Sequence, residues 1–176
     1  MSTLTHAATL VLAPSLLVAV TAATAHAEAR PAVAASACAK AALGYEAHAL
    51  PPIASGVVLI TVTNKSHTAC TIDRFPTVTF AGLDGSAQPV PPTQSGPRRL
   101  GADGHLYAAL RTDDRSGSAR YVPSLTVSAN PGYPGSRFTA AQIGAPAPGI
   151  AVYDPITTWW KKTVDEAVGA LPKDAA

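Results

Sequence analysis

Residues 63–80, TNKSHTACTIDRFPTVTF, carry the most specific pattern in this chain of 176 residues. Asn64, His67, Cys70 and Asp73 fall within ten positions, and these residue types occur both in catalytic sites and in turns. Asparagine and serine side chains hydrogen-bond to nearby backbone in turns, whereas the histidine and the aspartate lack a neighbouring nucleophile in a recognisable context. The stretch therefore predicts a turn pinned by a disulfide at Cys70 rather than a catalytic cluster.

Short strands separated by turn residues are predicted on both sides of this turn. Residues 56–64 are rich in β-branched side chains, and residues 76–83 alternate apolar and polar positions. Further strands are predicted at 42–50, in the return after the turn of 84–90, at 105–112, at 120–129 with an interruption at Pro123, and at 149–153. Regular short strands imply an all-β fold, and we expect an antiparallel immunoglobulin-like two-sheet sandwich over residues 38–153.

An added C-terminal α-helix is predicted over residues 154–171, followed by a tail at 172–176. Asp154 is suited to cap this helix, and Pro155 suits its first position. The apolar residues recur at the spacing of one helical face and are Ile156, Trp159, Trp160, Val164, Ala167, Val168 and Leu171. Such a face must be buried, and we expect it to pack against the sandwich.

Residues 1–27 are predicted to be a secretory signal peptide. They contain no Lys, Arg, Asp or Glu, and their apolar run ends in Ala25-His26-Ala27, which is a small-x-small cleavage site. A transmembrane helix is the alternative, but Pro14 and the threonine and histidine content disfavour it. Residues 28–37 are expected to form a flexible leader. The mature chain is expected to be secreted or associated with the cell envelope, with no stable membrane insertion after cleavage.

Cys38 and Cys70 are the two cysteines of the chain. In an exported protein two cysteines are expected to pair. The alternative is a lipid anchor at Cys38, because residues 34–38, AASAC, loosely resemble a lipidation box. Arg30 interrupts the apolar run before that box, and lipidation would leave Cys70 alone, so the disulfide is favoured.

Charge and motif content exclude several classes of function. The 13 basic and 11 acidic residues give a net charge of +2 and form no basic stripe, so we expect no nucleic-acid partner. The sequence shows no nucleophile elbow, phosphate-binding loop or dinucleotide fingerprint. His48, His67 and His105 match no zinc-binding spacing, so no catalytic, cofactor-binding or metal-binding residue is predicted. The open alternative is a hydrolase or metal-dependent enzyme that uses these histidines with nearby aspartates.

Four aromatic residues form the candidate interaction surface: Tyr121, Tyr133, Trp159 and Trp160. Together with Tyr107 they could make a platform for carbohydrate. Aromatic residues are few in this chain, however, and a core also needs them. Packing in the core or against the helix is therefore the competing interpretation for each of them.

The cysteine segment resembles an exported domain-of-unknown-function family, numbered 4232, that is common in actinobacteria. The resemblance rests on Cys38, Thr63-Asn64, Ser66, Cys70-Thr71-Ile72, Phe75-Pro76, Val78, Phe80 and Gly85, and continues in GADGHLYAALRT at 101–112. It covers about residues 38–153 and implies a small exported β-sandwich. Family members usually carry a second cysteine pair in the C-terminal half, and this chain lacks both of those cysteines. The resemblance implies no activity and no catalytic residues.

These features favour a disulfide-stapled β-sandwich that acts by binding an unknown protein or a cell-wall ligand, without a cofactor. The alternatives are the enzyme described above and a purely structural envelope protein.

The first prediction concerns export. We expect the secreted chain to begin at Glu28, because cleavage should follow Ala27. Intact-mass measurement and N-terminal sequencing of protein from the culture medium test this. A diacylglyceryl mass on Cys38 would contradict both the cleavage and the disulfide.

Overall fold

Strand β2 (Val57–Asn64) shows how the sequence produces the core. The computed structural model describes residues 35–51, 56–92, 96–113 and 117–173. Within β2 every second side chain is buried, which is the two-residue period of a strand with one face in a core. Val58, Ile60 and Val62 are at most 3% exposed, and the fourth residue in this buried row is Asn64, which is fully buried.

Twelve strands occur in the described part of the chain. They are β1 (Leu43–Ala49), β2, β3 (Cys70–Ile72), β4 (Thr77–Phe80), β5 (Gln88–Val90), β6 (Arg98–Leu100), β7 (His105–Arg111), β8 (Arg120–Val122), β9 (Ser124–Ser128), β10 (Ser136–Thr139), β11 (Ile150–Val152) and β12 (Ile156–Thr158). Two short helices, α1 (Ala140–Ile143) and α2 (Val164–Gly169), and a 3-10 turn (Lys40–Ala42) complete the elements.

The strands form a five-stranded sheet in the order β1-β2-β7-β12-β5, a three-stranded sheet β10-β9-β4, and the pairs β11-β8 and β3-β6. The pairing is antiparallel except between β12 and β5, which run parallel. The prediction of an all-β fold with a C-terminal helix is confirmed. The immunoglobulin-like detail is not confirmed, because these strands divide among four sheets rather than two.

The disulfide predicted between Cys38 and Cys70 is present. It joins residues 32 positions apart, with Cα atoms 4.8 Å apart, and both cysteines belong to the buried core. Chain-entropy reasoning gives a loop of this length roughly 3–4 kcal/mol of stabilisation. The bridge therefore fixes β3, a strand of only three residues, to the chain that leads into β1.

The predicted flexible leader, 28–37, is wrong at its C-terminal end. Ala37 forms a parallel bridge with Thr71. The Thr71 N–H donates to Ser36 O, and the Cys38 N–H donates to Thr71 O, both at 2.8 Å. The adjacent disulfide holds this segment beside β3, where its backbone groups find partners. Residues 28–34, like the predicted signal peptide, lie outside the described residues. In the part of the chain that is described, no helix is long and apolar enough to span a membrane.

The predicted strands are confirmed in position at β1, β2, β4, β7 and β11. The 120–129 segment divides at Pro123 into β8 and β9, which belong to different sheets. The return strand after the 84–90 turn exists as β5, but it pairs with β12. Between this return segment and β4 the described contact is an isolated bridge, which joins Ser86 to Thr79. Strands β6 and β10 are not among the strands predicted from the sequence.

The predicted helix over 154–171 is wrong in its first half. Ile156–Thr158 is strand β12, which lies between β7 and β5 and hydrogen-bonds to both. Thr158 Oγ1 also accepts the Ala109 N–H at 2.9 Å, deep in the core. A run of three or four apolar positions fits both a helix and a strand, and the two open sheet edges here favour the strand.

The C-terminal helix is confirmed as α2, over six residues. Thr163 is its N-cap and accepts the Glu166 N–H, as side-chain oxygens at this position commonly do. Ala167 is fully buried, and α2 contacts β7. Ala109 of β7 lies on the opposite face of the strand from the core-facing residues Ala108 and Leu110, and it is buried as well. We infer that α2 covers this outer face of β7.

Trp160 generates a stability prediction, because it is 1% exposed and belongs to the core. Trp160→Ala should lower the free energy of unfolding by about 3–5 kcal/mol through the cavity that it leaves. Lys161→Ala, one residue later, is the control and should stay within about 0.5 kcal/mol. Urea denaturation followed by far-UV circular dichroism measures both, and equal midpoints for Trp160→Ala and the parent would contradict the burial.

Candidate functional site

The turn after β2 is organised by the side-chain amide of Asn64. Its Oδ1 accepts the Ser66 N–H at 3.0 Å and the Ser66 hydroxyl at 2.7 Å. Its Nδ2 donates to Thr68 O and to Gly101 O, both at 2.8 Å. An amide has two donors and about two acceptor sites, so all of them are used. The predicted turn, with an asparagine side chain bonded to nearby backbone, is confirmed.

The same turn is tied to the loop before β7. The Asn64 N–H donates to Gly104 O at 2.8 Å, and the Asp103 N–H donates to Ser66 O at 3.0 Å. Asp103 has a positive φ of 51°, a conformation that aspartate tolerates better than most residues. Two segments that are 37 residues apart therefore form one hydrogen-bonded unit beside the disulfide.

His67 and Asp103 form an exposed ion pair at the tip of this unit. The Nδ1–Oδ2 distance is 2.9 Å, and the two side chains are 93% and 60% exposed. The hydrogen bond and the charge of Asp103 raise the pKa of His67 above its ordinary value. The pair therefore adds stability below the ordinary histidine pKa and loses it as pH rises through the raised pKa. Exposed pairs contribute little, and the neighbouring Ser66 hydroxyl is bonded to Asn64 rather than placed as a nucleophile.

The three histidines do not converge. His48 lies opposite Leu59 of β2, and His105 lies opposite Thr63 of the same strand. Four residues along a strand span roughly 13 Å, and β2 separates the two histidines. The His105 ring packs edge-on against Tyr107, with centroids 5.3 Å apart. In the described ranges no group of three or more His, Cys, Asp or Glu side chains is placed to hold a metal ion.

The four aromatic residues of the candidate surface differ in accessibility. Trp160 is buried, so its assignment to a surface is wrong and the competing core interpretation holds for it. Trp159 is half-buried, donates its indole N–H to Pro91 O at 3.1 Å, and carries the Arg74 guanidinium 4.6 Å from a ring centroid. Tyr133 donates its hydroxyl to Cys38 O at 2.8 Å. Tyr121 is 58% exposed and lines a cavity of about 240 Å³.

A cleft with a volume of about 790 Å³ lies where β5, β7, β8 and β12 approach one another. We call it the Arg111–Arg120 cleft. Arg111 ends β7 beside β2 and β12, and Arg120 begins β8 opposite Val152. Its polar and aromatic lining consists of Phe80, Asp84, Ser86, Gln88, Arg111, Ser118, Arg120, Tyr153 and Asp154.

The described lining of this cleft is largely polar and charged. Two guanidinium groups and two carboxylates line one concavity, and Tyr153 at the rim is 39% exposed. Asp154 has a positive φ of 47°, a sparsely populated conformation that often accompanies functional sites. The volume falls within the range of small-molecule sites.

Sequence reasoning missed this cleft, because it places Arg111 in a predicted strand and Asp154 at a predicted helix cap. The cleft residues come from segments up to 76 positions apart. The pairing of β12 with β5 and β7, and of β8 with β11, brings them together. The sequence did offer one signal, Tyr153-Asp154-Pro155. A proline after the aspartate disfavours a strand that continues through these residues, and so indicates a break there.

Fold and cleft define a β-rich domain with one disulfide and no assembled catalytic set among the described residues. The family model of a domain of unknown function (DUF4232) matches residues 38–160, and the chain belongs to this family. Searches of curated proteins and of solved structures find no significant match.

Asn64 provides the second stability prediction. Asn64→Ala removes four hydrogen bonds and leaves the carbonyl oxygens of Thr68 and Gly101 without this donor, so we expect a loss of about 2–4 kcal/mol in the free energy of unfolding. His67→Ala, in the same turn, is the control and should leave the urea midpoint unchanged. If Asn64→Ala melted like the parent, the amide would not be the anchor of this turn.

Proposed function

We propose that the protein is an exported, non-catalytic binding module of the cell envelope. The observation that carries this proposal is the Arg111–Arg120 cleft, a concave polar site in which the described residues pair no nucleophile with a base. The Cys38–Cys70 disulfide supports export, because disulfides persist mainly in oxidising compartments. A secretory signal at 1–27 is part of the same proposal.

The lining of the cleft favours a hydroxylated ligand with an acidic group. Guanidinium groups bind carboxylates and phosphates through paired hydrogen bonds, and both Arg111 and Arg120 line the cleft. Carboxylates and the Gln88 amide accept hydrogen bonds from hydroxyl groups. Tyr153 adds an exposed ring at the rim, which suits the apolar face of a sugar. We therefore assign an acidic saccharide of the cell wall to this cleft.

The test is titration of the isotopically labelled protein with a uronic-acid disaccharide, followed by NMR. We expect shifts confined to the backbone amides around the cleft, with Kd in the millimolar to micromolar range typical of small ligands, on the order of −4 to −8 kcal/mol. Arg120→Gln should weaken binding by about tenfold, because it removes one charge-assisted contact.

Arg99→Gln is the matched control, since Arg99 is also an exposed arginine on a three-residue strand but does not line the cleft. Unchanged affinity in Arg99→Gln and loss in Arg120→Gln would support the site. Shifts outside the cleft, or equal losses in both variants, would contradict it. A neutral disaccharide that binds equally well would contradict the assignment of an acidic group.

A further inference from the structure

A second surface feature lies between β6 and α2, away from the Arg111–Arg120 cleft. It is a shallow depression lined by Arg98, Lys161, Lys162, Glu166, Gly169 and Ala170. We call it the basic depression. It shares no lining residue with the cleft, and none of its lining residues belongs to the candidate interaction surface.

Tertiary structure concentrates positive charge here. Three cations and one carboxylate line the depression, which leaves two positive charges. The formal net charge of the entire chain is also +2, so the remaining charges of the protein balance one another. Arg98 stands 63 residues before Lys161 in the sequence, and they meet because β6 and the segment after β12 both lie beside α2.

The one carboxylate in the depression is already engaged. Glu166 Oε2 accepts the Lys162 backbone N–H at 3.1 Å, and the Glu166 N–H donates to Thr163 Oγ1 at 3.2 Å. These bonds hold the glutamate at the first turn of α2. Its contact with Lys162 is through the backbone N–H. Among the described residues neither lysine ammonium forms a salt bridge.

Arg74 does not line the depression, but it contacts chain segments next to the lining residues in sequence. Arg74 is fixed over the Trp159 ring, and its guanidinium lies beside Gly96, where a Cβ would be 3.8 Å from an Arg74 nitrogen. Gly96 is two residues before Arg98. The stacked guanidinium is pre-organised, which lowers the entropy lost when it makes a hydrogen bond.

We propose that the basic depression binds a phosphoryl group. Cations approach it from two elements, Arg98 on β6 and the lysine pair before α2, and a tetrahedral phosphate offers three peripheral oxygens to such a set. The arginine fork and the two ammonium point charges are the residue types that bind phosphate. A dianion would match the two uncompensated charges, whereas a single planar carboxylate would leave one of them unpaired.

The source of the phosphoryl group is free phosphate, a phosphate-bearing polymer or a lipid headgroup, and three probes distinguish them. These are inorganic phosphate, long-chain polyphosphate, and phosphatidylcholine vesicles containing phosphatidic acid. Each is titrated against the full-length exported protein by calorimetry at low ionic strength, where interactions at an exposed site are least screened. Succinate serves as the carboxylate comparison.

Three variants make the test specific to the depression. Lys161→Gln with Lys162→Gln should raise Kd for the bound probe by about tenfold or more. Lys40→Gln with Lys65→Gln removes the same charge from two exposed lysines elsewhere and should change Kd by less than about twofold. Glu166→Gln removes the one lining carboxylate while keeping an acceptor oxygen, and it should tighten binding.

The proposal is supported if any of the three probes binds and the variants change its Kd as stated above. The probe that binds identifies the source of the phosphoryl group. Absence of binding to all three overturns it. Equal losses in the two double-lysine variants overturn it as well, because they would indicate non-specific attraction to net charge. Succinate binding as tightly as inorganic phosphate would overturn the phosphoryl assignment. Arg120→Gln should leave phosphate binding unchanged, which separates this result from that of the cleft.

Discussion

The buried amide of Asn64 is the constraint on which the disulfide end of the molecule depends. It occupies the last position of the apolar row of β2, where a fully buried polar group is costly unless every donor and acceptor is paired. Its four hydrogen bonds reach Ser66, Thr68 and Gly101. The turn into β3 and the loop into β7 are therefore held together by one side chain. The Cys38–Cys70 bridge then attaches the chain that precedes β1 to β3.

The C-terminal segment depends on a different constraint, the open edges of β5 and β7. A sheet edge presents unpaired backbone groups, and Ile156–Thr158 satisfies them on both sides as β12. The chain then places Trp160 in the core and turns into α2, which covers the outer face of β7. This route also creates both polar surfaces, because Tyr153 and Asp154 precede β12 at the cleft and Lys161 and Lys162 follow it at the basic depression.

The two surfaces differ in their chemistry. The cleft combines guanidinium groups, carboxylates and an exposed ring, whereas the depression carries uncompensated positive charge. Their lining residues are separate, so one ligand can bind without occupying the other site.

The sequence by itself determined the all-β class, the positions of β1, β2, β4, β7 and β11, the disulfide and the turn at Asn64. Each of these follows from a feature of the sequence itself: a two-residue apolar period, turn residues, or the presence of two cysteines. Only the tertiary structure decided the partners of the short strands and the assembly of the two surfaces. A three-residue strand such as Ile156–Thr158 has too few alternating positions for its sequence to distinguish strand from helix. The backbone hydrogen bonds that distant strands offer therefore decide its secondary structure. Arg98 and Lys161, like Arg111 and Asp154, are adjacent for the same reason, because strand pairing and not sequence spacing sets the distance between them.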